Sequence, residues 1–182
     1  ELKEEHNFEG EEIDHLDIKI FDVAYNIIGG GEEGDKTVVR TKEEADHSLQ
    51  YMLAVAILDN QVMPEQYRIE RIQRQDVQEL LKKISVHPLE AFSRRFPDEM
   101  PCYMTLSLRD GRSFFIEKKD YEGFHTRPIP WERIVKKFEQ LSRPYADQSL
   151  RSEIIEAVGN LENIRVTDLM KLLAKVRWEQ DQ

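Results

Sequence analysis

Apolar positions along this chain change period several times, and each change marks an element. Leu16, Ile18 and Ile20 alternate, and the phase then shifts to Phe21, Val23 and Tyr25. This predicts a strand within His15–Ile28 that is bulged or covered on both faces. Gly29 to Asp35 reads as a loop leading through Lys36–Arg40 to a helix over Thr41–Asp59. Thr41 and Glu44 have capping-box spacing. The apolar run Tyr51–Leu58 is too short to span a membrane and too apolar for a surface helix, so it is packed on more than one side. A short helix is predicted near Pro64-Glu65-Gln66 and another over Asp76–Lys83, where Val77, Leu80 and Leu81 recur at helical spacing. Ile84–Leu89 turns extended. Tyr103–Lys119 reads as a hairpin, with Met104, Leu106 and Leu108 on one arm, Phe114 and Ile116 on the other, and a type I′ turn at Asp110-Gly111.

After Pro128 the pattern becomes purely helical. Trp131, Ile134, Val135, Phe138 and Leu141 form one stripe, ended by Pro144. Leu150, Ile154, Ala157, Val158 and Leu161 form a second. Thr167 is placed to cap a third, with Leu169, Leu172, Leu173 and Val176. The expected organisation is a linker or helix end over 1–14, an α+β domain over 15–128 and amphipathic helices over 129–182. The α+β domain is expected to be a small antiparallel sheet with packed helices. Three short helices cover one another only partly, so their apolar faces call for a further helical body. Residues 1–14 hold seven acidic residues and no initiator Met, which reads as a piece of a longer protein.

Composition narrows the function classes. The net charge of −10 argues against a nucleic-acid partner, since phosphate binding needs clustered Lys and Arg. An anionic substrate would need a local basic patch. The single Cys102 excludes an intramolecular disulfide and a cysteine-rich zinc site. With no signal segment or membrane span in the sequence, the cytoplasm is the expected compartment.

The glycine loop lacks the lysine and Ser/Thr of a P-loop, and Glu32, Glu33 and Asp35 would oppose a phosphate, so it reads as a connector. His6, His15, His47, His87 and His125 are not spaced as metal ligands. Ser48 follows His47 directly, and adjacent helical positions diverge too far for a nucleophile–base pair. Lys36, Arg40 and His47 surround the start of one helix, where the dipole favours anions. His47 taken alone reads first as a satisfied, partly buried structural histidine. His125 and Arg127 form a second small basic group, readable also as a solvated loop. Trp131 reads as a core anchor.

Glu44-Ala45-Asp46-His47-Ser48-Leu49-Gln50-Tyr51, then Ala54–Asp59 and Pro64-Glu65-Gln66-Tyr67, resembles the MmgE/PrpD family. Arg109-Asp110-Gly111-Arg112, Tyr121–His125 and Arg127–Glu132 follow in the family's order. The resemblance runs from about Ile13 to Leu173. It implies a lid domain followed by helices that return to an all-helical domain, with most catalytic residues in an upstream half. It also implies a homodimer in full-length form, no cofactor and no metal. The implied activity is dehydration of 2-methylcitrate to 2-methyl-aconitate in the methylcitrate cycle, with this chain inactive alone. Decarboxylase or isomerase chemistry, and a non-catalytic interaction module, stay open. In the implied reaction a proton α to a carboxylate is removed and hydroxide is lost, so the site must supply cations for a tricarboxylate. Lys36, Arg40 and His47, with His125 and Arg127 behind them, are the candidates for substrate binding.

Overall fold

The computed structural model describes residues 1–32 and 34–177. The chain divides into two compact units, Glu1–Tyr121 and Glu122–Gln182. The first is built on a four-stranded sheet of order β2-β1-β3-β4, with β1 Ile13–Ile20, β2 Ile84–Pro88, β3 Cys102–Leu108 and β4 Ser113–Lys118. The α+β class holds, but the sheet is mixed rather than wholly antiparallel. β1 pairs parallel with β2, Leu16 opposite Ile84 and Ile18 opposite Val86. Its other edge pairs antiparallel with β3, Leu16 opposite Leu106. The parallel pair is possible because the long helical stretch between β1 and β2 supplies the crossover.

Alternation along the strands sets the two faces. Leu16, Ile18, Ile84, Val86, Leu106 and Leu108 are buried, and they share one core with Tyr51, Val55, Val77, Leu80 and Leu81 from the helices. Lys19, His87, Phe115 and Glu117 stand exposed on the intervening positions. Full burial of an aliphatic side chain such as Leu81 stabilises by about 1.5–3 kcal/mol.

Three elements differ from the patterning. The phase shift at Phe21 is the end of β1, not a bulge: Asp22–Ala24 is a helical turn that continues into a π turn, Tyr25–Gly29. Gly30 ends it at φ +115°, a backbone region open mainly to glycine. The hairpin closes through three loop residues rather than a type I′ turn. Leu108 N–H donates to the Arg112 carbonyl at 2.8 Å, Gly111 N–H to the Leu108 carbonyl at 3.0 Å, and only Gly111 of the loop has positive φ. That is the geometry of a type I turn ending in a glycine bulge. The helix over Thr41–Asp59 is two helices, taken up below. The helix Gln75–Leu81, the 3₁₀ turn Pro64–Tyr67 and β2 lie where the patterning puts them.

The second unit contains the helices Trp131–Ser142, Gln148–Gly159 and Val166–Leu173. Asp147 caps the middle one, its carboxylate accepting from Leu150 N–H at 2.9 Å. Thr167 does not cap the third helix. That helix starts at Val166, behind Arg165, two residues before a Thr167 cap would start it, and Arg165 pairs with Asp168 at 3.0 Å. A small core joins Ala146, Leu150 and Ile154 with Phe138, Leu172 and Val176. Trp131, Ile134, Leu141, Val158, Leu161, Val166, Met170 and Leu173 remain exposed, so Trp131 is not a core anchor within its own unit. No helix among the described residues is long and apolar enough to cross a membrane.

Candidate functional site

The capping box at Thr41 forms. Thr41 Oγ1 accepts from Glu44 N–H at 3.2 Å, and the Glu44 carboxylate accepts from Thr41 N–H at 3.0 Å and Arg40 N–H at 2.6 Å. Those two amides hold the Glu44 carboxyl below the ordinary carboxylate range, Arg40 N–H contributing most. The helix it starts is only Lys42–Asp46. The chain breaks at His47, and Ser48 begins a second helix, Leu49–Asp59. Ser48 is fully buried, and its hydroxyl acts twice. It accepts from Tyr51 N–H at 3.0 Å, as an N-cap does, and donates to the Lys36 carbonyl at 2.6 Å.

Two residues on, Gln50 donates through Nε2 to the Gly29 carbonyl at 2.7 Å. Ser48 and Gln50 therefore pin the two ends of the glycine loop to the start of one helix. Between the loop and the edge strand β2 lies a cleft of about 370 Å³, lined by Gly30, Gly34, Lys36, Gln50, Ser85 and His87 among others. Glu33 of this loop lies outside the described residues. Asp35 also lines the cleft, but its carboxylate accepts from the Thr37 hydroxyl at 2.7 Å and Thr37 N–H at 2.8 Å. Those bonds, the hydroxyl first, hold its carboxyl below the usual range. His87 carries its Nε2 3.3 Å from an Asp17 carboxylate oxygen, a partner that orients an imidazole.

The sequence candidates are thus only partly brought together. Lys36 is half-buried and lines the cleft. Arg40 and His47 are exposed on the adjoining turn and are not among the residues lining the cleft. His47 places Nδ1 3.0 Å from the Glu43 carbonyl, closing the end of the short helix. Neither Lys36 nor Arg40 forms an ion pair among the described residues. His125 and Arg127 belong to the second unit. There Arg127 N–H donates to the Phe124 carbonyl at 2.8 Å and accepts, through its own carbonyl, from Gly123 N–H at 2.8 Å. The His125 ring lies 4.3 Å from that of Phe124.

Sequence reading missed Gln50 and His87 as cleft residues. The signal for Gln50 was available: it is a polar residue on the threshold of an apolar run. His87 depended on the parallel pairing of β1 with β2, which no local pattern reveals. Also missed was a polar network under the far end of the same helix. Arg71 forks onto Asp59, Nε to Oδ2 at 2.8 Å and a terminal nitrogen to Oδ1 at 2.7 Å, and reaches Asp76 at 2.9 Å. Gln66 donates to Asp59 at 3.0 Å, and the Tyr51 hydroxyl donates to the Gln66 carbonyl. Cys102 is half-buried and burial pushes its thiol up, which suits packing and not nucleophilic attack. Among the described residues no three His, Cys, Asp or Glu side chains gather as a metal-binding set.

What the cleft offers chemically is one ammonium, one carboxylate, one imidazole, small hydroxyls and an amide beside glycine backbone, a setting for a small polar ligand. Comparison with known proteins gives this geometry a family. The chain is 24% identical over 182 residues to a cis-aconitate decarboxylase of Mus musculus, covering 96% of this chain and 34% of that protein. It is 25% identical over 142 residues to the Homo sapiens cis-aconitate decarboxylase, covering 74% and 28%. To that of Aspergillus terreus it is 28% identical over 128 residues, covering 69% and 26%. The chain thus spans about a third or less of the curated relatives it matches. The model of the MmgE/PrpD C-terminal domain matches residues 1–163, and the chain accordingly belongs to the MmgE/PrpD family, whose relatives here are lyase-type enzymes.

Proposed function

We propose that this chain is the lid portion, with its returning helices, of a lyase acting on a small tricarboxylate. The observation that carries the reading is the family match over residues 1–163. Two reactions fit it. Dehydration of 2-methylcitrate breaks a C–H and a C–O bond and releases water. Decarboxylation of cis-aconitate breaks a C–C bond, releases CO₂ and returns a proton to carbon. The names of the relatives favour the second. Both reactions develop negative charge beside a carboxylate, and cations fixed over that charge lower the barrier. In this reading Lys36, Arg40 and His47 of the first unit supply contacts to carboxylates, and a lid excludes water. An all-helical portion covers the exposed apolar faces of the second unit, supplies the acid–base residues, and forms a cytoplasmic homodimer.

The test is to assay the longer polypeptide that carries this chain with both compounds, following CO₂ release from cis-aconitate and alkene absorbance from 2-methylcitrate. Turnover of either supports a tricarboxylate lyase and names the reaction. A folded full-length protein that turns over neither, yet binds a helical partner through the second unit, supports the interaction-module reading instead.

A further inference from the structure

β4 is the unprotected edge of the four-stranded sheet. The other edge, β2, is short, ends in Pro88, and has the Tyr25–Gly29 turn packed beside it. β4 carries no proline and pairs with β3 in unbroken register, from Cys102 opposite Lys118 to Ser107 opposite Ser113. Among the described residues no segment other than β3 pairs with it. The hairpin fixes which backbone groups are left over. Leu108 N–H donates to the Arg112 carbonyl, so bonded pairs recur at every second position, at Phe114, Ile116 and Lys118. The N–H and C=O groups of Ser113, Phe115 and Glu117 therefore point away from β3, along a free edge. The side chains of these three residues are exposed on the sheet face opposite the core. Phe115 is 71% exposed, and its ring lies 6.1 Å from that of Tyr103. Phe114, by contrast, packs against the core and stacks on His6 at 3.8 Å.

We infer that β4 pairs antiparallel with β4 of a second copy of this chain, about a twofold axis at Phe115. Facing residues of an antiparallel pair share a sheet face, and those with outward backbone groups exchange hydrogen bonds. Centring on Phe115 sets Ser113 opposite Glu117, Phe115 opposite Phe115 and Glu117 opposite Ser113. Every free group of the edge then finds a complement, and the interface closes at two copies. On the outer face the two Tyr103–Phe115 pairs join into one aromatic row, a contact that a foreign strand would not supply. Glu117 meets a serine and keeps Arg95 at 3.1 Å. On the core face Lys118 comes opposite Arg112, but both already hold carboxylates, Glu1 for the first and Asp110 for the second. What selects a second copy is this self-match of the edge about one aromatic residue. The inference is independent of the substrate reading.

The test is sedimentation equilibrium of the whole chain carrying Val166→Glu and Met170→Glu, which removes the exposed apolar face of the second unit as a cause of association. The expected result is a concentration-dependent monomer–dimer equilibrium. Amide exchange read alongside it should slow at Ser113, Phe115 and Glu117 as concentration rises, while Phe114 and Ile116 stay protected throughout. Phe115→Pro removes an outward N–H and no bond to β3, a place where an edge strand accepts proline. It should weaken the dimer about ten- to a hundredfold, the loss of two neutral hydrogen bonds across the axis. Phe115→Lys, which keeps the backbone donors but opposes like charges at the axis, should also weaken it and serves where the proline variant folds poorly. A chain that stays monomeric at every concentration, or a dimer that both substitutions leave intact, overturns the inference. So does slow exchange at Ser113, Phe115 and Glu117 at the lowest concentration, which would mean that a segment of the same chain covers the edge.

Discussion

The Ser48 hydroxyl donates to the Lys36 carbonyl at 2.6 Å while accepting from Tyr51 N–H at 3.0 Å. One fully buried atom thus starts a helix and fixes the backbone of the cleft's lysine. Ser48→Ala removes the cap and strands both a buried donor and a buried acceptor. The expected loss is about 2–3 kcal/mol, the sum of a lost N-cap and an unsatisfied buried group. Urea denaturation checks it through a lowered midpoint at unchanged slope.

This residue also shows where the sequence was legible. The Thr41 capping box, the helix Gln75–Leu81 and the arms of the hairpin are local patterns, and they lie where periodicity puts them. The break at His47 was not legible because the capping signal upstream and the apolar run downstream are both helical. The choice of Ser48 as a second cap is decided by the Lys36 carbonyl twelve residues away. The end of β1 was misread for a related reason: Phe21, Val23 and Tyr25 alternate like a strand, but tertiary packing turns them into a helical segment. Of the candidate site, the cation Lys36 was visible in the sequence. Of the partners that shape its cleft, Gln50 was signalled by its place at the threshold of the apolar run, whereas the β2 edge depends on pairing distant in the chain.

The Asp59–Arg71 fork should anchor the same helix at its other end. The two side chains are 20% and 11% exposed, so solvent screens the pair weakly. Arg71→Met leaves Asp59 desolvated with Gln66 alone and should cost about 3 kcal/mol, whereas Arg74→Met, removing an exposed partner of Asp76, should cost well under 1 kcal/mol. The hydrogen bonds from Arg71, then Gln66, hold the Asp59 carboxyl below its ordinary value. A depressed carboxyl stabilises the fold above the unfolded value of about 3.9 and loses that contribution as pH falls through the folded value. Stability measured from pH 6 down to pH 2 should therefore drop more steeply in the wild type than in Arg71→Met.

Tyr51 gives the opposite end of the pH scale. Burial pushes its phenol up to about 12. The neutral phenol is favoured in the folded chain, so its contribution is complete below the unfolded value of about 10 and is lost as pH rises from there to about 12. Tyr51→Phe keeps the ring but strands the Gln66 carbonyl, for an expected loss of about 1 kcal/mol at neutral pH. Denaturation at pH 8 and pH 11 should show a fall in the wild type that is smaller in the variant.

The outer apolar face of the second unit should make the chain sticky by itself. Val166 is 71% exposed and Met170 56%, one helical turn apart, with Leu173 and Leu161 also exposed. A contiguous face of this kind favours association. Light scattering should show concentration-dependent self-association, with binding of a dye for apolar surface. The pair of changes Val166→Glu and Met170→Glu should reduce both without lowering the thermal midpoint of the first unit.

His47 gives the sharpest test of the proposed substrate contacts. It stands exposed immediately before the Ser48 cap, so it borders the N-terminal end of an eleven-residue helix, where the dipole favours an anion. Among the described residues its ring makes one hydrogen bond, Nδ1 with the Glu43 carbonyl at 3.0 Å, which closes a five-residue helix. Losing that exposed bond should cost at most about 0.5 kcal/mol, as for surface substitutions generally. Losing a charge-assisted contact to a tricarboxylate should cost about 1.5–3 kcal/mol in the transition state, a fall in kcat/KM on the order of ten- to a hundredfold. His47→Ala in the full-length enzyme should therefore leave the melting temperature within about a degree or two while activity collapses. If instead the melting temperature falls by several degrees and the kinetics of the folded fraction are unchanged, His47 is a structural residue of the helix junction. Lys36 would then be left as the cation nearest the cleft, and Lys36→Met should reproduce the activity loss that His47→Ala failed to give.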